Sequence, residues 1–60
     1  MYDITLTVGG LSTVAKNKSL ADVHRFVTGV TGIPKSQQDI VGHKYTNFTK
    51  GNTKISIKRK

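Results

Sequence analysis

Two histidines, three aspartates and a concentration of lysines toward the C-terminus are the residues of this 60-residue chain whose types could do chemistry. A nucleophilic triad needs a nucleophile, a base and an orienting acid within hydrogen-bond reach. Serines are present, but none sits in a strand-turn-helix nucleophile motif, so the chain reads as non-enzymatic. His24, beside Arg25, reads as a solvated residue on a helix surface. His43, beside Lys44, reads as a turn residue within reach of a phosphate or an acidic group. The two histidines are far apart in sequence and have no nearby Glu or Cys, which makes a poor metal set. Gly9-Gly10 is followed by neither a helix nor a Lys-Ser/Thr pair, so it is no phosphate loop. No catalytic residue, cofactor or metal is expected.

The chemistry these residues do support is electrostatic. Ten Lys and Arg face three Asp, giving a formal net charge of +7. The imbalance is local. Lys16, Lys18 and Arg25 are offset by Asp3 and Asp22, whereas Lys35, Lys44, Lys50, Lys54, Lys58, Arg59 and Lys60 face Asp39 alone. A one-sided field of this kind attracts nucleic acid, anionic surfaces or acidic proteins. In an alternating strand, Lys54, Ser56, Lys58 and Lys60 share one face while Ile55 and Ile57 take the other. His43 and Lys44 extend that surface, and Tyr45 or Phe48 is placed to offer a flat ring, though rings are more often spent on packing in a chain with two Tyr and two Phe. A lysine-rich strand face also guards against strand-to-strand aggregation.

Local patterns give the elements that must position these groups. Tyr2, Ile4, Leu6 and Val8 alternate with polar residues, the period of a half-buried strand. Gly9-Gly10 then predicts a hairpin into a second strand over residues 11–15. The spacing of Leu11 and Val14 leaves its inward face open between a bulge and a longer turn. Ser19 is a helix N-cap, with Asp22 three residues on. Leu20, Val23, Val27 and Val30 make one apolar stripe with Phe26 beside it, and Gly32 and Pro34 stop the helix. Asp39–Val41 reads as a short strand and Gly42-His43 as a tight connection. Residues 44–48 suggest a further strand, Lys50-Gly51-Asn52 a turn, and residues 54–58 a last strand. The order is ββαββ in a single α+β domain over residues 1–60.

Over about Tyr2 to Arg59, and most strongly from Ser19 to Lys44, the chain resembles the ubiquitin-like, β-grasp family. Ser19, Leu20, Val23 and Val27 fall where that family has its helix cap and core. Ile33, Pro34, Gln37, Gln38, Ile40 and Val41 follow in register. The resemblance implies a mixed sheet wrapped across one helix, with the first and last strands central and parallel. It also implies departures. The chain ends Ile57-Lys58-Arg59-Lys60 instead of in the Gly-Gly used for conjugation, and the small extra helix before the last strand is deleted. The receptor-binding patch of the family maps onto Val41, His43, Lys44, Ser56 and Lys58, a basic and only slightly apolar surface.

The bulk properties bound the rest. A chain this short buries only about 60% of its unfolded surface, so its core is thin. It has no cysteine, so neither disulfides nor a cysteine-based zinc site supports it. The N-terminus lacks the basic and apolar regions of a signal peptide, and no segment approaches a membrane span. A cytoplasmic monomer without a membrane partner is expected. Two functions fit. One is an interaction module docking on an acidic surface of another protein, as would suit a small phage or accessory protein acting on a host enzyme. The other is RNA or DNA binding. Both use the same residues: Val41, His43, Lys44, Lys54, Ser56, Lys58 and Lys60.

Overall fold

A computed structural model describes residues 1–60. Strands β1 (Tyr2–Val8) and β2 (Leu11–Lys18) precede helix α1 (Leu20–Thr31). A 3-10 turn (Lys35–Gln37) follows, then β3 (Tyr45–Lys50) and β4 (Thr53–Arg59). The four strands form one sheet in the order β2-β1-β4-β3, with α1 against one face. The ββαββ order and the α+β class match the expectation from the sequence.

The two hairpins follow from their turn residues. Gly9 and Gly10 have φ of 55° and 90°, the pair of positive values that a type I′ turn needs, so Val8 pairs with Leu11 and no longer turn forms. At the second hairpin only Gly51 is positive, at 58°, the pattern of a II′ turn closed by Lys50 and Thr53. The irregularity in the β1–β2 ladder lies at its other end. There Lys16 and Asn17 oppose the single residue Asp3, and Asn17 takes a φ of 59°. β2 consequently runs three residues beyond the expected Ala15.

Helix α1 starts where Ser19 Oγ accepts the Asp22 N–H at 3.2 Å, and Asp22 lies at the positive end of the helix dipole. It stops at Gly32, whose φ of 76° is left-handed and whose N–H donates to the Thr28 carbonyl. The core is Tyr2 and Ile4 of β1, Ile55 and Ile57 of β4, Val23 and Val27 of α1, and Ile40 from the connection. Leu6, Leu20, Phe26, Val30 and Phe48 pack around it. Phe48 is therefore a packing residue and not a free ring.

The implied mixed sheet is corrected. β1 and β4 are the central pair, but they run antiparallel, with Tyr2 opposite Arg59 and Val8 opposite Thr53. Asp39–Val41 is not a strand either, although Ile40 is buried at 1% exposure. The two corrections have one cause. The helix carries the chain from the Lys18 end of the sheet toward the Lys50 end, where Lys50 Nζ approaches Gly32 to within 3.9 Å of a built Cβ. Residues 33–44 then return the full length as an irregular connection. β3 and β4 follow as a two-residue hairpin, so each passage reverses direction and β4 ends antiparallel to β1.

The polar connection is held by side chains instead of a ladder. Gln38, at 6% exposure, donates from Nε2 to Thr28 Oγ1 and to the Ile33 carbonyl, each at 2.8 Å. Its Oε1 lies 2.8 Å from His24 Nδ1. His24 is thus buried, at 8% exposure, and the solvated placement expected for it is wrong. It sits next to Val23 on the helix, and the arrival of Gln38 covers it.

Candidate sheet-face interface

The alternation of β4 puts Ile55 and Ile57 into the core and turns Lys54, Ser56 and Lys58 to the face opposite the helix. Register places their neighbours. Lys58 lies between Asp3 and Tyr45, Ser56 between Thr5 and Asn47, and Lys54 between Thr7 and Thr49. On β2, Val14 stands beside Thr5, and Ser12 Oγ lies 2.9 Å from Thr7 Oγ1. The middle of this face is made of small hydroxyl residues, while Val14 and Tyr45 rise at its sides. The result is a shallow depression of about 450 Å³ lined by Val14, Thr5, Ser56, Asn47, Tyr45, Lys58 and Ile57, with the Asp3 carboxylate beside Lys58. Val14 and Tyr45 are 54% and 61% exposed.

One end of the sheet adds a basic rim. Lys18 and Arg59 both pair with the buried Tyr2, so their side chains share its helix-side face and stay off the rim, while the Arg59 N–H donates to the Lys44 carbonyl at 2.8 Å. Lys44 Nζ lies 5.8 Å from the centroid of the Tyr45 ring, within cation–π range. Lys60 N–H donates to the Met1 carbonyl, and Lys60 Nζ donates to Asn17 Oδ1 at 3.1 Å and lies 3.8 Å from Asp3 Oδ1. Asp3 also accepts the Asn17 N–H at 3.2 Å, so it shapes the bulge while partly offsetting Lys60.

The remaining expected residues sit at the edge of this surface. Val41 is 54% exposed in the connection, and its carbonyl accepts from Arg59 Nη1 at 3.0 Å. It is not on a strand, so the implied two-strand patch with Ser56 and Lys58 is not built as a sheet surface. His43 is exposed, and its Nε2 lies 3.1 Å from Asp39 Oδ2. The expected residues therefore separate into the face (Lys54, Ser56, Lys58), the rim (Lys44, Lys60) and the loop beside it (Val41, His43).

Val14 and Asp3 line the depression without being among the expected residues, because the outward side of β2 follows only from its register with β1. Tyr45 is the exposed ring of the four. The cation pair Arg25 and Lys35 near His24 also went unnoticed, because the two lie on different elements. No helix is long and apolar enough to cross a membrane. A scan against protein-family models, a search of curated proteins and a search of solved structures find no match to this chain.

Proposed function

We propose that the chain is a non-catalytic interaction module that docks its uncovered sheet face on an acidic surface of a partner protein. The observation that carries this reading is the face itself. Lys58 lines a depression with hydroxyl groups on its floor and apolar Val14 and Tyr45 at its sides, Lys54 stands further along the same strand face, and Lys44 and Lys60 at one end outnumber the single acid Asp3. Protein interfaces combine apolar contact with a charged border in this way. The central strands offer Thr5 and Ser56 where a single-strand-binding sheet would place stacking rings. The likeness to the ubiquitin-like family supports the module reading through the helix, the Gly32-Ile33-Pro34 turn and the Gln37-Gln38 pair, and not through the sheet.

Nucleic-acid binding through the same face is the second reading. Exposed Tyr45, with Lys44 at its ring and Lys58 beside it, favours it. Affinity capture from nuclease-treated lysate, at moderate salt, separates the two. A K54E/K58E chain is compared with K50E, which carries one reversal away from the face. The protein reading expects a partner that survives nuclease, stays with K50E and is lost from K54E/K58E. Loss on nuclease treatment supports nucleic acid, and equal loss from K50E contradicts a face-specific site.

A further inference from the structure

His24 ends a directional chain of hydrogen bonds. The Ile33 carbonyl can only accept, so the Gln38 atom 2.8 Å from it is the amide nitrogen. That nitrogen spends its other proton on Thr28 Oγ1, and Thr28 donates its hydroxyl proton to the same carbonyl at 2.9 Å. Gln38 therefore faces His24 with its oxygen, and Nδ1 of His24 is the donor. In the neutral ring this leaves a lone pair on Nε2. That nitrogen has no partner within the protein and keeps contact with solvent.

His24 lines a cleft of about 520 Å³ on the helix side of the molecule, with Ala21, Arg25, Thr28 and Gly29 of α1 and Lys35 of the 3-10 turn. Ala21 and Gly29 keep it open, and a Cβ at Gly29 would meet nothing within 4 Å. Arg25 and Lys35 supply two cations from different elements, and no acid lines the cleft. Thr28 has already committed its hydroxyl proton. One imidazole without a second ligand is not a metal site. Two cationic donors beside a largely buried imidazole whose acceptor nitrogen still reaches solvent suit a ligand that is both an anion and a proton donor.

We propose that this cleft binds a protonated tetrahedral oxyanion of the phosphate class. Arg25 and Lys35 meet its charged oxygens, and its P–OH donates to His24 Nε2. Sulfate has no proton to give at neutral pH and so forfeits the last bond. The site shares none of its lining residues with the sheet face and does not depend on the docking function.

The test is an amide and imidazole NMR titration of the full chain at pH 7 and constant ionic strength. Inorganic phosphate, O-phosphoserine and sulfate are the probes. Saturable shifts at Ala21, His24, Arg25, Gly29 and Lys35 are expected, with phosphate binding more tightly than sulfate. O-phosphoserine, whose second pKa of about 6 leaves it mostly without a P–OH proton at pH 7, is expected to bind more weakly than inorganic phosphate, as sulfate does, and phosphoserine binding more tightly than phosphate would overturn the proposal. Lys35→Gln and Arg25→Gln, both surface changes, each weaken phosphate binding about tenfold, the loss that goes with one hydrogen bond to a charged group. The imidazole nitrogens of the neutral ring are expected to show the proton on Nδ1. Shifts confined to the sheet lysines, equal response to sulfate, or a proton on Nε2 would overturn the proposal.

Discussion

Gln38 Oε1 lies 2.8 Å from His24 Nδ1, and this contact joins the irregular return connection to the helix. Both side chains are buried, at 6% and 8% exposure. Gln38 also ties Thr28 and Ile33, so one amide holds the helix C-terminal turn, the Gly-Ile-Pro segment and the connection together. Gln38→Ala leaves the His24 imidazole N–H without its partner, while the Ile33 carbonyl keeps the Thr28 hydroxyl. Unmade buried hydrogen bonds of this kind cost about 1–3 kcal/mol each. Urea unfolding is expected to show a loss in that range. A change under 0.5 kcal/mol, roughly what an ordinary surface substitution produces, would show that the contact is not formed.

The same connection is anchored by Ile40, which is buried without belonging to a strand. Ile40→Ala should cost about 2–5 kcal/mol. A domain of this length is expected to have only roughly 0.05–0.15 kcal/mol of stability per residue, so the variant is expected to be largely unfolded by circular dichroism at 37 °C. A well-folded I40A chain would place residue 40 outside the core.

Thr46 faces the opposite situation. Its Oγ1 is buried on β3, opposite Ile57, with no hydrogen-bond partner. Valine has nearly the same shape and no group to desolvate. Thr46→Val is expected to stabilise the chain by about 1 kcal/mol, read as a higher denaturation midpoint at unchanged slope. Destabilisation would mean that the hydroxyl has a partner.

Gly32 is required for its backbone and not for space. Its φ is 76°, and the nearest atom to an added Cβ is the mobile Lys50 ammonium at 3.9 Å. Gly32→Ala should therefore cost about 1–2 kcal/mol, the penalty of a left-handed L-residue. Gly29 lies inside the helix with open space around it, so Gly29→Ala should gain about 1 kcal/mol from propensity. Parallel thermal melts check both signs, and a matching sign for the two would contradict this account of the helix end.

Much of the fold was legible because its determinants are local. The alternation of Tyr2 to Val8, the glycine pair at the first turn, the Ser19 cap and the Gly32 stop each act within a few residues. So does the alternation that sends Lys54, Ser56 and Lys58 outward. The direction of β4 was not legible, because it depends on how residues 33–44 travel. That path is set by Gln38 and Ile40, whose contacts lie on other elements. His24 was misplaced for the same reason: what buries it arrives from outside the helix. The basic rim was legible, since Lys44 and Lys60 follow from the pattern of the C-terminal half. That Lys18 and Arg59 turn to the helix side follows only once both are known to pair with the buried Tyr2.

The most direct test of the docking face is photo-crosslinking from single sites in the full chain. Benzoylphenylalanine replaces Tyr45, an exposed ring on the sheet face, and separately Ala21 on the helix side. In lysate, the chain labelled at position 45 is expected to form a protease-sensitive, nuclease-resistant adduct with an acidic protein. The adduct should vanish with K54E/K58E, and the chain labelled at position 21 should give none. Adducts that form only from position 21, or that nuclease removes, would contradict a sheet-face module for an acidic protein partner.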